Sequence, residues 1–318
     1  MPSPLTRRRF LTIASASCLA ASPGLAGARF HVWEGVALGA RARIVLDHPE
    51  APRIVARAVT EIDRLESVFS LYRPQSELSR LNRHGRLARP SFEFLECLAA
   101  ARAVWRLSGG RFDPTVQPLW QVLAEARQAG EAAGDAALSA ARQLIGLDRV
   151  RADPGAVTLS PGQALTLNGI AQGYIADRVA RMMRAEGVRD VLIDTGEIVA
   201  MGTMPRDDGP GWPVTIEGEA KPRRIAGRAL ATSAPGALVL DPATGQGHIL
   251  DPRLGAPVTP AVAQVSVSAP SAALADALST ALCLVDDRAE AESTLRQVNG
   301  ARLECFYPAA GADRENRL

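Results

Sequence analysis

In the run SAALADALSTALCLV, Asp276 and Thr280 stand four residues apart. On a helix that spacing turns both side chains to one face. A carboxylate and a hydroxyl are hard oxygen donors, suited to magnesium once a backbone carbonyl and phosphate oxygens complete the shell. Zinc calls for His or Cys, and neither is there. A solvated polar face would show the same two residue types at the same spacing, but this helix is apolar around them, and a carboxylate buried in it needs a partner. The turn in TLNGIAQGYIAD, Thr166 to Asp177, is a second candidate. Gly169 and Gly173 flank Ile170, Ala171 and Gln172, so backbone can approach a ligand closely, and the helix opening there aims N–H groups at an anion such as a phosphate. Tight packing alone would also explain the glycines. His248 and Asp251 could serve a phosphoryl group or an acceptor hydroxyl as base or hydrogen-bond donor, or His248 could simply finish a strand. Thr232 and Ser233 add two hydroxyls within reach of a phosphate.

The elements that must hold these residues follow from periodicity. VALGARARIVL, residues 36–46, alternates as one strand, and so does QALTL before the glycine turn. Pro52 leads into a helix with Val55, Val59, Ile62, Leu65 and Phe69 on one side. Ser76 caps a short helix in the polar stretch SLYRPQSELSRLN, and Ser91 caps another that ends at Gly109-Gly110. Residues 121–145 read as helix broken at Gly130 and Gly134. VLIDTGEIVAMG reads as two strands around Asp194-Thr195-Gly196, with further strands at 212–216, 224–232, in QVSVSAP and in LECFY, and a helix over 275–285. No repeat or long linker divides the chain. The pattern predicts one α+β domain with a largely antiparallel sheet rather than a regular βαβ array.

The N-terminus, TRRRFLTIASASCLAASPGLAGA, joins a twin arginine to a short apolar run and an Ala26-Gly27-Ala28 cleavage pattern. Residues 1–28 therefore read as a twin-arginine export signal, with 29–318 as the mature domain in the periplasm. The formal charge of +2 owes three positive charges to Arg7, Arg8 and Arg9. The mature chain is close to neutral, at about −1. With aromatic residues only 4% of the chain and no basic stripe, nucleic acid is excluded as a partner. No later stretch has the ~20 apolar residues of a membrane helix, so an integral membrane protein is not expected. Cys97, Cys283 and Cys305 are far apart among apolar residues and read as buried free thiols.

Taken in order, SLYRPQSELSRLN, GRFDPTVQPL, LNGIAQGYIADRVA, DTGEI, ATSAPG, GHILDPRLGAPV and ADALSTAL resemble the blocks of the ApbE family, the FAD:protein FMN transferases. The resemblance spans essentially the whole mature chain. It implies a single α+β domain that binds FAD and Mg²⁺ and moves FMN onto a Thr or Ser hydroxyl of an acceptor protein, releasing AMP. By the same resemblance the Gly169 carbonyl, Asp276 and Thr280 hold the metal. Leu38, Tyr72, Arg111, Phe112, Asp113, Thr166, Gln172, Thr232, Ser233, His248 and Ile249 line the FAD site. His248 and Asp251 are the candidates for proton handling.

Several positions depart from the commoner family pattern, Leu38 and Ala40 at its start among them. Thr166 stands where Asp is usual, Gln172 where a charged residue is usual, Glu197 where a second glycine often follows Gly196, and Ala234 where glycine is usual. LNGIAQGY with DTGEI and the export signal is similar to the NosX-type branch, which implies a NosR-like acceptor carrying covalent flavin. A carrier that holds FAD without turnover, and a hydrolase that splits the FAD pyrophosphate, are the competing expectations. A pure carrier has little need of a metal beside the pyrophosphate.

Overall fold

Alternating apolar residues divide the strands of the main sheet between two cores. In the computed structural model, which describes residues 30–37, 39–205, 209–241, 246–257 and 261–309, seven strands form this sheet. They are β1 (His31–Ala37), β2 (Ala40–Leu46), β3 (Val191–Asp194), β4 (Ile198–Met201), β5 (Arg228–Ser233), β6 (Val262–Ala269) and β7 (Arg302–Pro308). They lie side by side in that order, and every pairing is antiparallel. Ile44, Leu46, Val191, Ile193, Val199 and Met201 face one core, and Val45, Leu192, Ile198, Ala200 and Leu230 face the other. The period of two along each strand makes that division automatic. The second core is closed by a short hairpin, Trp212–Val214 against Arg223–Ile225, and the Trp212 indole donates to the Met201 carbonyl at 2.8 Å.

The first core is covered by helices. Between β2 and β3 the chain makes α1 (Ala51–Phe69), α2 (Glu77–His84), α3 (Phe92–Leu107), α4 (Gln117–Ala129), α5 (Asp135–Arg142) and α6 (Ala171–Ala185). Between β6 and β7 it makes α7 (Ala272–Leu282) and α8 (Arg288–Leu295). The expected caps are present. Ser76 and Ser91 accept from the Ser79 and Phe94 N–H groups, and Gly85 ends α2 in the left-handed region. Phe69 of α1 stacks on Phe94 of α3 at 6.4 Å between ring centroids and meets Tyr174 of α6 edge-on at 5.4 Å. One aromatic group thus fixes three helices against one another. Cys97, Cys283 and Cys305 are buried free thiols. Among the described residues no helix is long and apolar enough to cross a membrane. Residues 1–28 and Leu38 lie outside the described residues.

Two strand expectations fail for physical reasons. The run 36–46 is not one strand but the end of β1, a tight turn and β2, because Gly39 at φ 80° reverses the chain inside an unbroken alternation. QALTL is not a strand, and its hydrogen bonds go to side chains and loops. Leu165 N–H donates to Asn82 Oδ1 at 2.8 Å, Thr166 N–H donates to the Pro114 carbonyl at 2.8 Å, and the Gln163 amide donates to the Leu144 and Gly146 carbonyls, both at 3.0 Å. A buried polar side chain here imitates the polar face of a strand.

The contact that positions the site is between α6 and α7. A Cβ at Gly173 would lie 2.2 Å from the Ala272 carbonyl oxygen, so only glycine permits the approach. Asp177, one turn further along α6, accepts from the Ala272 and Ala273 N–H groups at 2.8 and 3.0 Å, while Ser271 caps α7 by accepting from the Leu274 N–H. Gly173→Ala is expected to destabilise the protein by about 2 kcal/mol or more, since overpacking against fixed backbone cannot relax by a rotamer change. Urea denaturation measures this, and an unchanged midpoint would contradict the packing argument.

Candidate active site

The predicted oxygen donors meet at the end of the sheet where β3 turns into β4 and β5 ends. Asp276 and Thr280 lie one turn apart on α7, and Gly169 comes against Thr280 from the loop ahead of α6. A Cβ at Gly169 would stand 3.1 Å from Thr280 Oγ1 and 3.2 Å from the Phe112 ring. That gap admits backbone and little else. Asp276 is 4% exposed, and its Oδ2 accepts from the Gly173 N–H at 3.3 Å. From β5, Ser233 Oγ lies 2.8 Å from Ser279 Oγ and 3.4 Å from Thr280 Oγ1, while Thr232 pairs with Ser266 at 2.8 Å. Gly169, Asp276, Thr280, Phe112 and Ser233 are therefore brought together, with Thr232 beside them.

The electrostatics of this corner are those of a place short of positive charge. Burial pushes the Asp276 carboxyl up to about 8, Asp177 adds to the shift, and the single Gly173 hydrogen bond opposes it. Asp194, at the end of β3, is pushed up to about 6 by burial, against the pull of the Gly196 N–H and Arg43. Glu197, in the turn between β3 and β4, is held well above the ordinary carboxylate range by burial and by Asp276 and Asp194. The Glu197 Oε2 and Thr195 Oγ1 atoms are buried without hydrogen-bond partners. Among the described residues no three His, Cys, Asp or Glu side chains form a metal cluster, so a cation here must draw on hydroxyl and carbonyl oxygens as well. A magnesium ion fits that donor set: hard oxygens, a cradle at Gly169 with no side chain, and buried carboxylates lacking a counter-charge.

The other expected residues divide into two groups. His248 lies beside the Ser233–Pro235 segment: a Cβ on the preceding Gly247 would come within 2.0 Å of the Pro235 carbonyl. Burial lowers its pKa, the Leu238 and Pro235 carbonyls partly offset this, and its Nδ1 is buried without a partner. Ile249, the next residue, is buried. Asp251 is engaged elsewhere: both its oxygens take the Arg253 guanidinium, at 3.0 and 2.6 Å. Burial alone would raise it, but Arg253 outweighs that and holds it below the ordinary value. Arg111 is likewise committed, donating to the Leu284 and Ser108 carbonyls, both at 3.2 Å, and pairing with Glu290. Asp113 accepts from the Thr115 and Leu147 N–H groups at 2.8 and 3.1 Å, and thereby fixes the loop that carries Phe112. Thr166 turns its hydroxyl to the Asn168 N–H at 3.3 Å. Gln172 is half-buried in the first turn of α6, and Tyr72 is 52% exposed on the loop before α2.

Residue types alone did not reveal Glu197 as part of this corner, although a carboxylate directly after a turn glycine and ahead of four apolar residues is the signal that could have done so. Nor did they reveal Asp177 as an acceptor for the first N–H groups of α7, beside its N-cap Ser271.

The fold and the site define a class: a single α+β domain that gathers hard oxygen donors beside the first turn of a helix at one end of an antiparallel sheet. The chain belongs to the ApbE family, whose pattern matches residues 38–305. The FAD:protein FMN transferase of Vibrio cholerae is 30% identical over 259 residues, covering 75% of this chain and 77% of that protein. The FAD:protein FMN transferase of Chlamydia trachomatis is 30% identical over 278 residues, covering 81% and 85%. The apo crystal structure of the Pseudomonas stutzeri flavinyl transferase ApbE superposes with a TM-score of 0.76 at 25% identity, covering 90% of this chain and 96% of that one.

The raised Asp194 gives a pH prediction. Its folded pKa of about 6 exceeds the 3.8 of an unshifted Asp, so its contribution to stability is complete below about pH 4 and is lost as pH rises through 6. Asp194→Asn keeps an acceptor for Gly196 and removes the titration. The stability of the variant relative to the parent is expected to grow by about 2 kcal/mol between pH 4 and 7 and then level off. Chemical denaturation at pH 4, 5, 6 and 7 reads this, and parallel profiles would refute it.

Proposed function

We propose that this protein transfers FMN from FAD to a Thr or Ser hydroxyl of an acceptor protein, releasing AMP, with Mg²⁺ held by Asp276, the Thr280 hydroxyl and the Gly169 carbonyl. The observation that carries the reading is the closure of Gly169 on Thr280, one turn from a buried Asp276 that lacks a counter-charge. Relatives that match most of the chain are FAD:protein FMN transferases. Magnesium, when bound, supplies positive charge to the pyrophosphate oxygens as negative charge builds there.

The chain's own residues do the rest. The Gly173 N–H orients Asp276. The first turn of α6 offers its positive end to a phosphate. Ser233, hydrogen-bonded to α7, keeps β5 against the donor cluster. The acceptor hydroxyl attacks the FMN phosphorus, the bond to the AMP phosphate breaks, and the hydroxyl proton must be taken up. Of the two candidates His248 is suited to that task, because burial keeps it neutral with Nδ1 free, whereas Arg253 leaves Asp251 with little affinity for a proton. The export signal supports action in the periplasm, and the NosX-like blocks support an electron-transfer partner of the NosR kind as acceptor.

Residues 29–318 incubated with FAD, Mg²⁺ and an acceptor domain carrying its Thr are expected to add one FMN to the acceptor, read by intact mass, and chelator is expected to stop the addition. Free FMN without acceptor labelling would identify a hydrolase, and bound, unchanged FAD would identify a carrier. Asp276→Ala is expected to lose transfer at least ~100-fold with its fold intact by circular dichroism. The rate should also fall on the acid side, below the ordinary histidine pKa. His248→Gln should abolish that limb and Asp251→Asn should keep it. A limb that follows Asp251 instead would reverse the assignment.

A further inference from the structure

Glu197 is 5% exposed, and its Oε2 has no hydrogen-bond partner. A buried acceptor left unpaired is costly, and more so when it is charged. The residue's place in the fold shows what it faces. It sits in the turn between β3 and β4, and β4 pairs with β5 so that Ile198 stands opposite Leu230. The last residues of β5 therefore run beside Glu197. The next residue, Ser233, contacts Ser279 and Thr280 of α7. The ionisable side chains that bear on Glu197 are Asp276 and Asp194, both carboxylates. No salt bridge neutralises it among the described residues.

We propose that Glu197 is a second protein carboxylate of the cation site, so that Asp276, Glu197, the Thr280 hydroxyl and the Gly169 carbonyl hold a divalent cation before FAD arrives. The inference rests on the reading of Asp276 and Thr280 as metal ligands. A site with one carboxylate leaves a divalent ion half-neutralised and relies on substrate phosphates for the remainder. With two carboxylates the protein alone balances the charge, and the hydroxyl and the carbonyl complete a hard oxygen set. The orphan Oε2 and the lack of any cationic neighbour are then explained together. Binding order follows: cation first, dinucleotide second.

The test is Mn²⁺ binding to the chelator-treated, FAD-free protein, followed by electron paramagnetic resonance, for the parent, Glu197→Gln and Asp276→Asn. The parent is expected to bind one Mn²⁺, and each variant to bind it at least 10–100-fold more weakly. Thermal unfolding of the same samples checks the fold. Metal-free Glu197→Gln should unfold no lower than the parent, having lost only an unpartnered carboxyl oxygen, and Mn²⁺ should raise the midpoint of the parent much more than that of the variant. If Glu197→Gln fails to fold, Glu197→Ala takes its place. Parent-like Mn²⁺ affinity in the Glu197 variant, with loss in Asp276→Asn, would overturn the role of Glu197 and leave the two-residue site standing. No loss in either variant would overturn the cation reading itself. A parent that binds no Mn²⁺ without FAD would overturn the binding order and the proposal with it.

Discussion

Two helix N-termini approach more closely than any side chain but hydrogen would allow. A Cβ on Gly173 would sit 2.2 Å from the Ala272 carbonyl, and from that contact the geometry of the donor cluster follows. With α6 and α7 so close, each supplies a carboxylate to the other's first turn: Asp276 accepts from Gly173, and Asp177 accepts from Ala272 and Ala273. The exchange fixes the rotation of both helices. It sets Thr280 against the Gly169 loop, and it brings Asp276 to the end of the sheet where β5 delivers Ser233.

The same arrangement concentrates negative charge. Asp276, Asp194 and Glu197 are all raised by burial, and Glu197 is raised further by the other two. Elsewhere the chain pairs its carboxylates readily, as Asp251 does with Arg253 and Glu290 with Arg111. The contrast is local: arginines hold the C-terminal end of α7 and the loops around it, while the first turns of α6 and α7 face carboxylates and hydroxyls. A corner so built is stabilised by whatever positive charge enters it.

Much of this was legible in the sequence, and the reasons differ by residue. Asp276 and Thr280 could be placed on one helix face because a four-residue spacing fixes direction once the helix is granted. The glycine turn before α6 was readable because backbone without side chains advertises close approach, although which glycine meets which neighbour depends on tertiary packing. Asp113 and Arg111 belong to a block of the family pattern, yet here their side chains serve the loop and the end of α7, and local sequence carries no sign of that. Glu197 was visible only as a departure from the usual glycine. Its burial is decided by the pairing of β4 with β5, a long-range register that no local pattern encodes. The misread strands at 36–46 and 163–167 share one cause, since alternation records which side chains are buried and not where the backbone hydrogen bonds go.

The main sheet keeps chain order from edge to edge, yet β2 and β3 are joined through all of α1 to α6. Pairing Leu46 with Val191 closes a loop of roughly 145 residues, the kind of distant contact that slows folding. Gly169 and Gly173 lie inside that loop, whereas Asp276, Thr280 and Ser233 lie beyond it. A nascent chain released before α7 is made therefore lacks Asp276 and Thr280. The corner between α6, α7 and the sheet end is assembled only in the finished fold, and a partly folded chain lacks it.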